Sequence, residues 1–196
     1  MYRNEGDWQP FSQRIAVVAA YSELLKARIA DGYICYYANF MFNQLPGERK
    51  TQLDIMKGEI ERVFGILLKH VVRKPWSDSW KPLMPRFIGC ADLPAPKGKK
   101  VDVDVVRVND GLHFNGLLFV PPRRRKKGGK TVKGAGGRKS RLKVSLIRHF
   151  ECQSSSYLTR RLVRIHLVRV KNDGITDYAL KTYISGKISS DDFLVI

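Results

Sequence analysis

Residues 112–120, LHFNGLLFV, place a histidine and an asparagine two positions apart in a segment that is otherwise apolar. The preceding residues 109–111, Asn-Asp-Gly, are a strong signal for a tight hairpin turn. Before that turn, residues 101–108, VDVDVVRV, alternate between apolar and polar side chains as a half-buried strand does. The sequence therefore predicts a β-hairpin whose returning strand is LHFNGLLFV.

The polar side chains of this hairpin are predicted to share one face. Residues two apart on a strand project the same way, so His113 and Asn115 project together and Phe114 points to the other side. With a two-residue turn, Asp102 and Asp104 join them, whereas a three-residue loop would reverse this parity. An imidazole with carboxylate and amide oxygens suits Mg²⁺ or Mn²⁺. A structural alternative is a partly buried histidine hydrogen-bonded to its neighbours.

Apolar periodicity predicts two helices and a strand before this hairpin. Residues 11–29 carry apolar side chains on one helical face, and Gly32 ends that helix. Residues 33–42, YICYYANFMF, are predicted to form a buried strand whose aromatic side chains belong to the core. A second helix follows, with an apolar stripe from Leu53 to Val71. The core-facing residues predicted for the first helix are Phe11, Ile15, Val18, Leu25 and Ile29.

The remaining elements complete an α+β pattern. A short strand is predicted at residues 86–91, and residues 142–150 fit either a helix or a strand. Residues 162–170 alternate as a strand does, and Thr176 is predicted to cap a last helix, DYALKTYISGK. Hairpin-linked strands with interspersed helices predict one α+β domain over residues 1–196. Its central antiparallel sheet is expected to have flanking helices packed mainly on one face.

The charge of the chain indicates a polyanionic partner. The sequence has 36 Lys plus Arg against 18 Asp plus Glu, a formal net charge of +18. Such an excess favours nucleic acid as the partner. An acidic membrane surface and a ribosomal setting are the alternatives.

The most basic segment spans residues 123–141, RRRKKGGKTVKGAGGRKSR, which has no acidic side chain. Its many glycines and few apolar residues predict a flexible loop that contributes nothing to the core. We expect it to contact the phosphate backbone without reading sequence. The residues predicted to bind DNA are Arg123, Arg124, Arg125, Lys126 and Lys127.

The expected location of the protein is inside a cell. No apolar run approaches the ~20 residues needed to cross a membrane, and the N-terminus lacks the apolar region of a secretory signal. Cys35, Cys90 and Cys152 are far apart in the sequence and form no CxxC pair. This spacing predicts reduced thiols. We expect the cytoplasm of a prokaryote, or the nucleus for a eukaryotic or viral protein.

A second chemical pattern lies in the predicted last helix. Tyr178 and Lys181 are three residues apart, a spacing that places them on one helical face. A tyrosine oxygen can attack a phosphodiester and form a covalent intermediate. A nearby lysine favours the ionised phenol and contacts the phosphate. The structural alternative is an ordinary surface pair. Tyr183 is predicted to lie about 140° away round the helix and to belong to the core or surface.

These two patterns, in this order, resemble the HUH endonucleases, which include Rep-type initiators of rolling-circle replication, relaxases and related transposases. HFN at residues 113–115 stands where the family has His-hydrophobic-His or a variant ending in glutamine. YALK at residues 178–181 is similar to the helical YxxK motif that follows it in Rep-type members. YICYYANFMF occupies the place of the first strand motif of the family. The resemblance covers about residues 33–187.

The resemblance implies an RRM-like or ferredoxin-like sheet and a metal-dependent endonuclease and strand transferase that acts on single-stranded DNA or a DNA hairpin. It implies a 5′-phosphotyrosine intermediate on Tyr178, with Lys181 assisting. It also implies Mg²⁺ or Mn²⁺ held by His113, Asn115 and a third residue, for which we expect Asp104. Asn115 departs from the family pattern, because a neutral amide is a weaker ligand than imidazole.

The alternative function is a non-catalytic nucleic-acid-binding module with an RRM-like sheet and a basic arm. A geometric criterion separates the two, since an enzyme needs Tyr178 within reach of His113 and Asn115. No helicase pattern is present in the sequence, so unwinding would need a further domain or a separate protein. His166, on the last long strand, is a further candidate for the active face of the sheet.

Overall fold

The computed structural model describes residues 9–92, 112–121, 126–127, 130–131, 142–170 and 175–196. Its helices are α1 (Phe11–Ala30), α2 (Arg49–Val71), α3 (Leu146–Cys152), α4 (Ser154–Tyr157), α5 (Ile175–Ala179) and α6 (Lys181–Ile184). Short 3₁₀ turns cover Asp78–Leu83 and Ser190–Asp192. The strands are β1 (Ile34–Phe42), β2 (Arg86–Asp92), β3 (His113–Val120), β4 (Lys126–Lys127), β5 (Lys130–Thr131), β6 (Leu162–Arg169) and β7 (Leu194–Val195).

The centre of the fold is a five-stranded sheet in the order β6-β1-β3-β2-β7. All of its paired strands are antiparallel, so the predicted α+β fold with a central antiparallel sheet is confirmed. β3, which carries the LHFNGLLFV segment, is the middle strand. It is therefore flanked by β1 on one side and by β2 on the other, and both strands position side chains beside His113 and Asn115.

Two parts of the sequence prediction fall mostly outside the described residues. The predicted strand and turn at residues 101–111 lie there, and so does most of the basic segment 123–141. Within that segment, β4 and β5 pair as a two-stranded antiparallel ladder. The predicted basic loop therefore contains a short ladder at these four residues, and its flexibility stays a prediction.

Helices lie on both faces of the sheet, so the prediction of helices mainly on one face is wrong. One apolar cluster, here called the α2 core, packs α2, α3 and α4 against side chains such as Phe114 and Leu118. The other, here called the α1 core, packs α1, α5 and α6 against side chains such as Leu117 and Phe119. Near-continuous burial along β3 follows from this arrangement, because both faces of a central strand are covered.

The buried face of α1 differs from the predicted stripe. Val18 and Leu25 are buried as expected, but Phe11, Ile15 and Ile29 are exposed. Arg14 takes the buried position instead, where its guanidinium donates hydrogen bonds to the carbonyl oxygens of Gln9 and Ile184. These acceptors offset the cost of burying the guanidinium, which apolar periodicity alone does not anticipate.

A glycine pair lets an aromatic ring pack across the middle of the sheet. Gly116 on β3 pairs with Gly89 on β2. A Cβ atom at residue 116 would lie 2.4 Å from the ring of Phe87. Glycine at this point therefore serves close packing, and it explains the interruption of the apolar segment after Asn115.

In the C-terminal part of the chain, the structure decides between helix and strand for residues 142–150 and differs from the predicted last helix. Residues 142–150 include the start of α3, whose N-terminus is capped when the Ser145 side chain accepts a hydrogen bond from the Arg148 amide. The predicted last helix is instead two short helices, α5 and α6, separated by a turn at Leu180.

Candidate functional site

Three polar side chains meet on the middle strands of the sheet. His113 and Asn115 share a face, as predicted, and Asn115 Nδ2 lies 3.4 Å from His113 Nε2. The α1 core lies on this side, because Leu117 on the same alternation belongs to it. Asp92, the last residue of β2, pairs directly with His113. The strand register therefore places the carboxylate beside the imidazole and the amide.

Asp92 is the hub of this group although it is only 1% exposed. Its Oδ2 atom accepts a hydrogen bond of 2.7 Å from Asn115 Nδ2 and lies 3.2 Å from His113 Nε2. The same oxygen lies 2.8 Å from Lys181 Nζ. Its Oδ1 atom accepts a hydrogen bond from the buried hydroxyl of Thr182. Four donors thus converge on one carboxylate.

These donors decide the ionisation of Asp92. Burial alone would raise the pKa of the carboxyl group, but hydrogen bonds from His113, Lys181 and Thr182 outweigh it. The result is a pKa below the ordinary aspartate value. Asp92 therefore stays ionised at neutral pH and supplies a negative charge beside His113.

The sequence pattern missed Asp92 by one residue. The predicted strand ended at residue 91, whereas β2 includes Asp92 and pairs with β3 along its length. A carboxylate at the end of a strand that pairs with the HFN segment was the available signal. Asp104, the predicted third ligand, lies outside the described residues.

Tyr178 and Lys181 lie together although they belong to different helices. Lys181 Nζ is 4.7 Å from the centre of the Tyr178 ring while it also contacts Asp92. A cation over an aromatic face is a favourable arrangement. Lys181 therefore links the tyrosine to the carboxylate and, through it, to His113. Tyr178 is 51% exposed, so its ring is accessible from solvent.

A second tyrosine supports the first from the sheet. Tyr37 on β1 packs edge-on against Tyr178, with ring centres 5.5 Å apart. Burial raises the pKa of Tyr37 above the ordinary tyrosine value, and negative charge on Tyr178 raises it further. Tyr37 therefore keeps its proton under conditions in which an exposed phenol ionises.

The polar face continues across β1 to β6. Asn39 pairs with Asn115 on one side and with His166 on the other. His166 is exposed and, because it pairs with Asn39, projects to the same side as the site, the face for which it was a candidate. Among the described residues, the side-chain oxygens of Asn39 and Asn115 are buried without a hydrogen-bond partner.

Tyr183 and His149 both belong to the core. Tyr183 is fully buried, its ring packs against Phe193, and its hydroxyl donates to Gln9 Oε1. It lies in the core, one of the two positions predicted for it. On the opposite side of the sheet, His149 is buried and its Nε2 lies 2.8 Å from the Tyr157 hydroxyl.

The donor set for a divalent ion is mixed. The described residues contain no group of three His, Cys, Asp or Glu side chains that could hold a metal. Asp92 and His113 would therefore need the amide oxygen of Asn115 as a third ligand. That buried oxygen has no hydrogen-bond partner, but the amide turns its nitrogen toward Asp92 and His113, so an ion would also require the amide to turn over. The ammonium of Lys181 already provides a positive charge beside Asp92 Oδ2. These donors suit Mg²⁺ or Mn²⁺ provided that Lys181 yields its place.

The predicted DNA-binding segment stays a prediction. Arg123, Arg124 and Arg125 lie outside the described residues, and Lys126 and Lys127 form β4. Comparisons with protein-family models, curated proteins and solved structures found no significant match to this chain. Within the described residues, no helix combines the length and apolar character needed to cross a membrane.

Proposed function

We propose that this chain is a metal-dependent endonuclease and strand transferase that cuts single-stranded DNA through a covalent tyrosine intermediate, as in rolling-circle replication or transposition. The observation that supports the proposal most is a series of contacts that runs from Tyr178 through Lys181 and Asp92 to His113. It connects Tyr178 to His113 through two intervening side chains, an arrangement that supports an enzyme. An accessible phenol next to a cation and a buried carboxylate–imidazole pair is suited to phosphoryl transfer.

Tyr178 is the proposed nucleophile. Its phenolic proton passes to solvent, and the ammonium of Lys181, which lies over the Tyr178 ring, is placed to contact the phosphate. The phenolate oxygen forms a bond to phosphorus as the bond from phosphorus to the 3′ oxygen breaks. That oxygen takes up a proton and leaves as a 3′-hydroxyl, and the 5′ phosphate stays on Tyr178. Attack by a second 3′-hydroxyl reverses these steps and joins a new strand.

Asp92, His113 and Asn115 are the proposed metal-binding residues. A divalent ion held by them would polarise a phosphoryl oxygen of the scissile phosphate. A hydrogen bond holds the carboxylate before any ligand arrives, since the Thr182 hydroxyl donates to its Oδ1 atom. Most of the rate would come from such positioning and electrostatic stabilisation.

A denaturing gel tests the proposal directly. The protein is incubated with Mn²⁺ and a labelled pool of single-stranded oligonucleotides, and a protein–DNA adduct that survives denaturation is expected. Tyr178→Phe should abolish the adduct, and Asp92→Asn or chelation with EDTA should reduce it by at least tenfold. An adduct that persists in Tyr178→Phe would overturn the assignment of the nucleophile.

The second candidate is a nucleic-acid-binding module without catalysis. The ion pair between Asp92 and Lys181 favours it, because this pair satisfies the carboxylate without a metal. In this case the protein would bind single strands, form no adduct at any Mn²⁺ concentration and show no Mn²⁺ binding by calorimetry. The gel and the calorimetric titration together decide between the two functions.

A further inference from the structure

The site-side face of the sheet is exposed at the end of β1 and along β6. Helices α1, α6 and α5 contact β1, β2 and β3, respectively. By contrast, Met41 on β1 is 41% exposed and Val168 on β6 is 47% exposed. Val168 pairs with Tyr37, the residue whose ring contacts Tyr178. An apolar surface therefore lies in solvent next to the candidate nucleophile.

Two basic side chains lie on the same face as these apolar residues. Arg164 pairs with Met41 and His166 pairs with Asn39, so both project to the same side as Tyr37. Both are exposed. We use the name β6 strip for Met41, Arg164, His166 and Val168. The strip combines a permanent positive charge, an imidazole and two apolar side chains. It ends at Val168, which pairs with Tyr37, and the Tyr37 ring contacts Tyr178.

We propose that the β6 strip binds the single strand of DNA that leads to Tyr178. This inference rests on the proposed function for its choice of ligand. A guanidinium makes paired hydrogen bonds to phosphate oxygens, which suits Arg164 to the DNA backbone. Unpaired bases present flat faces that pack on apolar and aromatic side chains, which suits Met41, Val168 and Tyr178. In a duplex these base faces are stacked inside the helix.

A cavity beside β6 is not part of this surface. It has a volume of about 350 Å³ and lies between β6 and the helices α3 and α4, which belong to the α2 core on the opposite side of the sheet. Glu151 belongs to its lining, so its charge does not favour a phosphate. The strand of DNA is therefore proposed to lie on the open face that carries Arg164 and His166.

Two arginines of the same strand give a matched test. Arg164 and Arg169 are both exposed on β6, so their replacement by alanine removes the same charge. Arg169 pairs with Tyr36, which belongs to the α2 core, so it projects to the opposite face of the sheet. A nonspecific effect of net charge would weaken DNA binding equally in both variants. A DNA contact on the β6 strip would weaken DNA binding in Arg164→Ala alone.

The measurement is fluorescence anisotropy of a labelled single-stranded oligonucleotide at several salt concentrations. Arg164→Ala should weaken binding at least fivefold and lower the slope of log K against log salt by about 0.7, the value for one lost contact. Arg169→Ala should change Kd less than twofold. Val168→Ser should weaken binding without a change in the slope. Equal effects of the two arginine variants, or no effect of Arg164→Ala, would overturn the proposal.

Competitors and the adduct assay separate the remaining outcomes. Polyglutamate that displaces the DNA from wild type as efficiently as unlabelled single strands would instead indicate an acidic protein partner, and equal competition by duplex DNA would refute single-strand selectivity. If DNA binding depends on Arg164 but no adduct forms, the DNA-binding role of the β6 strip stands and the proposed endonuclease is refuted. If Arg164→Ala forms the adduct and binds DNA with normal affinity, the endonuclease stands and the role of the strip is refuted. Thermal unfolding of each variant verifies that it is folded.

Discussion

Lys181 and Asp92 form an ion pair of 2.8 Å that joins the last helical segment to the end of β2. Asp92 is almost fully buried, so the loss of its partner would leave a poorly compensated charge in the protein interior. In this ion pair the cation bound to the carboxylate is the Lys181 ammonium. Lys181 contacts the Asp92 oxygen that the proposed divalent ion would need, so the two cations should compete.

Replacement of Lys181 by methionine should therefore strengthen metal binding. We expect Mn²⁺ affinity to rise about tenfold, equivalent to about 1.4 kcal/mol, because the ion no longer displaces an ammonium. Isothermal titration calorimetry measures this affinity without any requirement for activity. Lys187→Met removes the same charge from the exposed end of the same segment and serves as the control. Equal affinities of Lys181→Met and wild type would contradict competition at Asp92.

The two tyrosines of the last segment should separate chemistry from stability. Tyr178→Phe should abolish adduct formation and change the free energy of unfolding by less than about 0.5 kcal/mol, as expected for an exposed site. Tyr183→Phe should keep the adduct but lose about 1 kcal/mol of stability, because Gln9 loses its buried hydrogen-bond donor. Urea denaturation and the denaturing gel measure the two effects. Loss of the adduct in Tyr183→Phe alone would show that the nucleophile is misassigned.

The sequence was most informative where a periodic pattern coincided with burial. Strand alternation predicted that His113 and Asn115 share a face, because the period of a strand is fixed by backbone geometry. It did not predict helices on both faces of the sheet, because strand alternation does not show which face of β3 each helix covers. Apolar periodicity also failed for α1, where Arg14 is buried and hydrogen-bonded while Phe11 is exposed.

The site depended on contacts between distant parts of the chain. Asp92 lies 21 positions before His113 and 89 before Lys181 in the sequence, and only the β2–β3 register and the position of α6 bring them together. The YxxK spacing brought Tyr178 and Lys181 together even though the predicted helix is interrupted at Leu180. The sequence thus identified the chemistry of the nucleophile better than the identity of the carboxylate.

His149 should make the stability of the fold pH-dependent. Burial, and then the positive charge of His70, lower the pKa of His149 below the ordinary histidine value. The unfolded chain therefore takes up a proton more readily than the folded chain. The stabilisation is complete above about pH 6.5 and is lost as pH falls through the folded pKa, with about 1.4 kcal/mol for each unit of the difference.

This linkage is measured as the free energy of unfolding at pH values from 7 to 5. Wild type should lose stability over this range, and His149→Gln should lose less because its side chain does not titrate. His70→Gln should show an intermediate dependence, since it removes the second cause of the shift but leaves His149 buried. Identical pH dependence in wild type and His149→Gln would exclude His149 as the responsible group.

Tyr37 should hold the nucleophile in place through its ring. The ring packs edge-on against Tyr178, with ring centres 5.5 Å apart. Tyr37→Leu removes this aromatic contact, so we expect the rate of adduct formation to fall about tenfold. Tyr37→Phe keeps the ring and removes only the hydroxyl, so it serves as the matched control. The affinity for single-stranded DNA should stay within twofold of wild type in both variants.

The rate of adduct formation at saturating DNA, measured with the denaturing gel, separates this positioning role from a loss of folding. Tyr37→Leu should be slow although urea denaturation shows that it is folded, because the Tyr178 ring has lost its neighbour on the sheet. Tyr37→Phe should keep most of the wild-type rate, because its ring still packs against Tyr178. An equally slow Tyr37→Phe would show that the hydroxyl of Tyr37, rather than its ring, acts on the nucleophile.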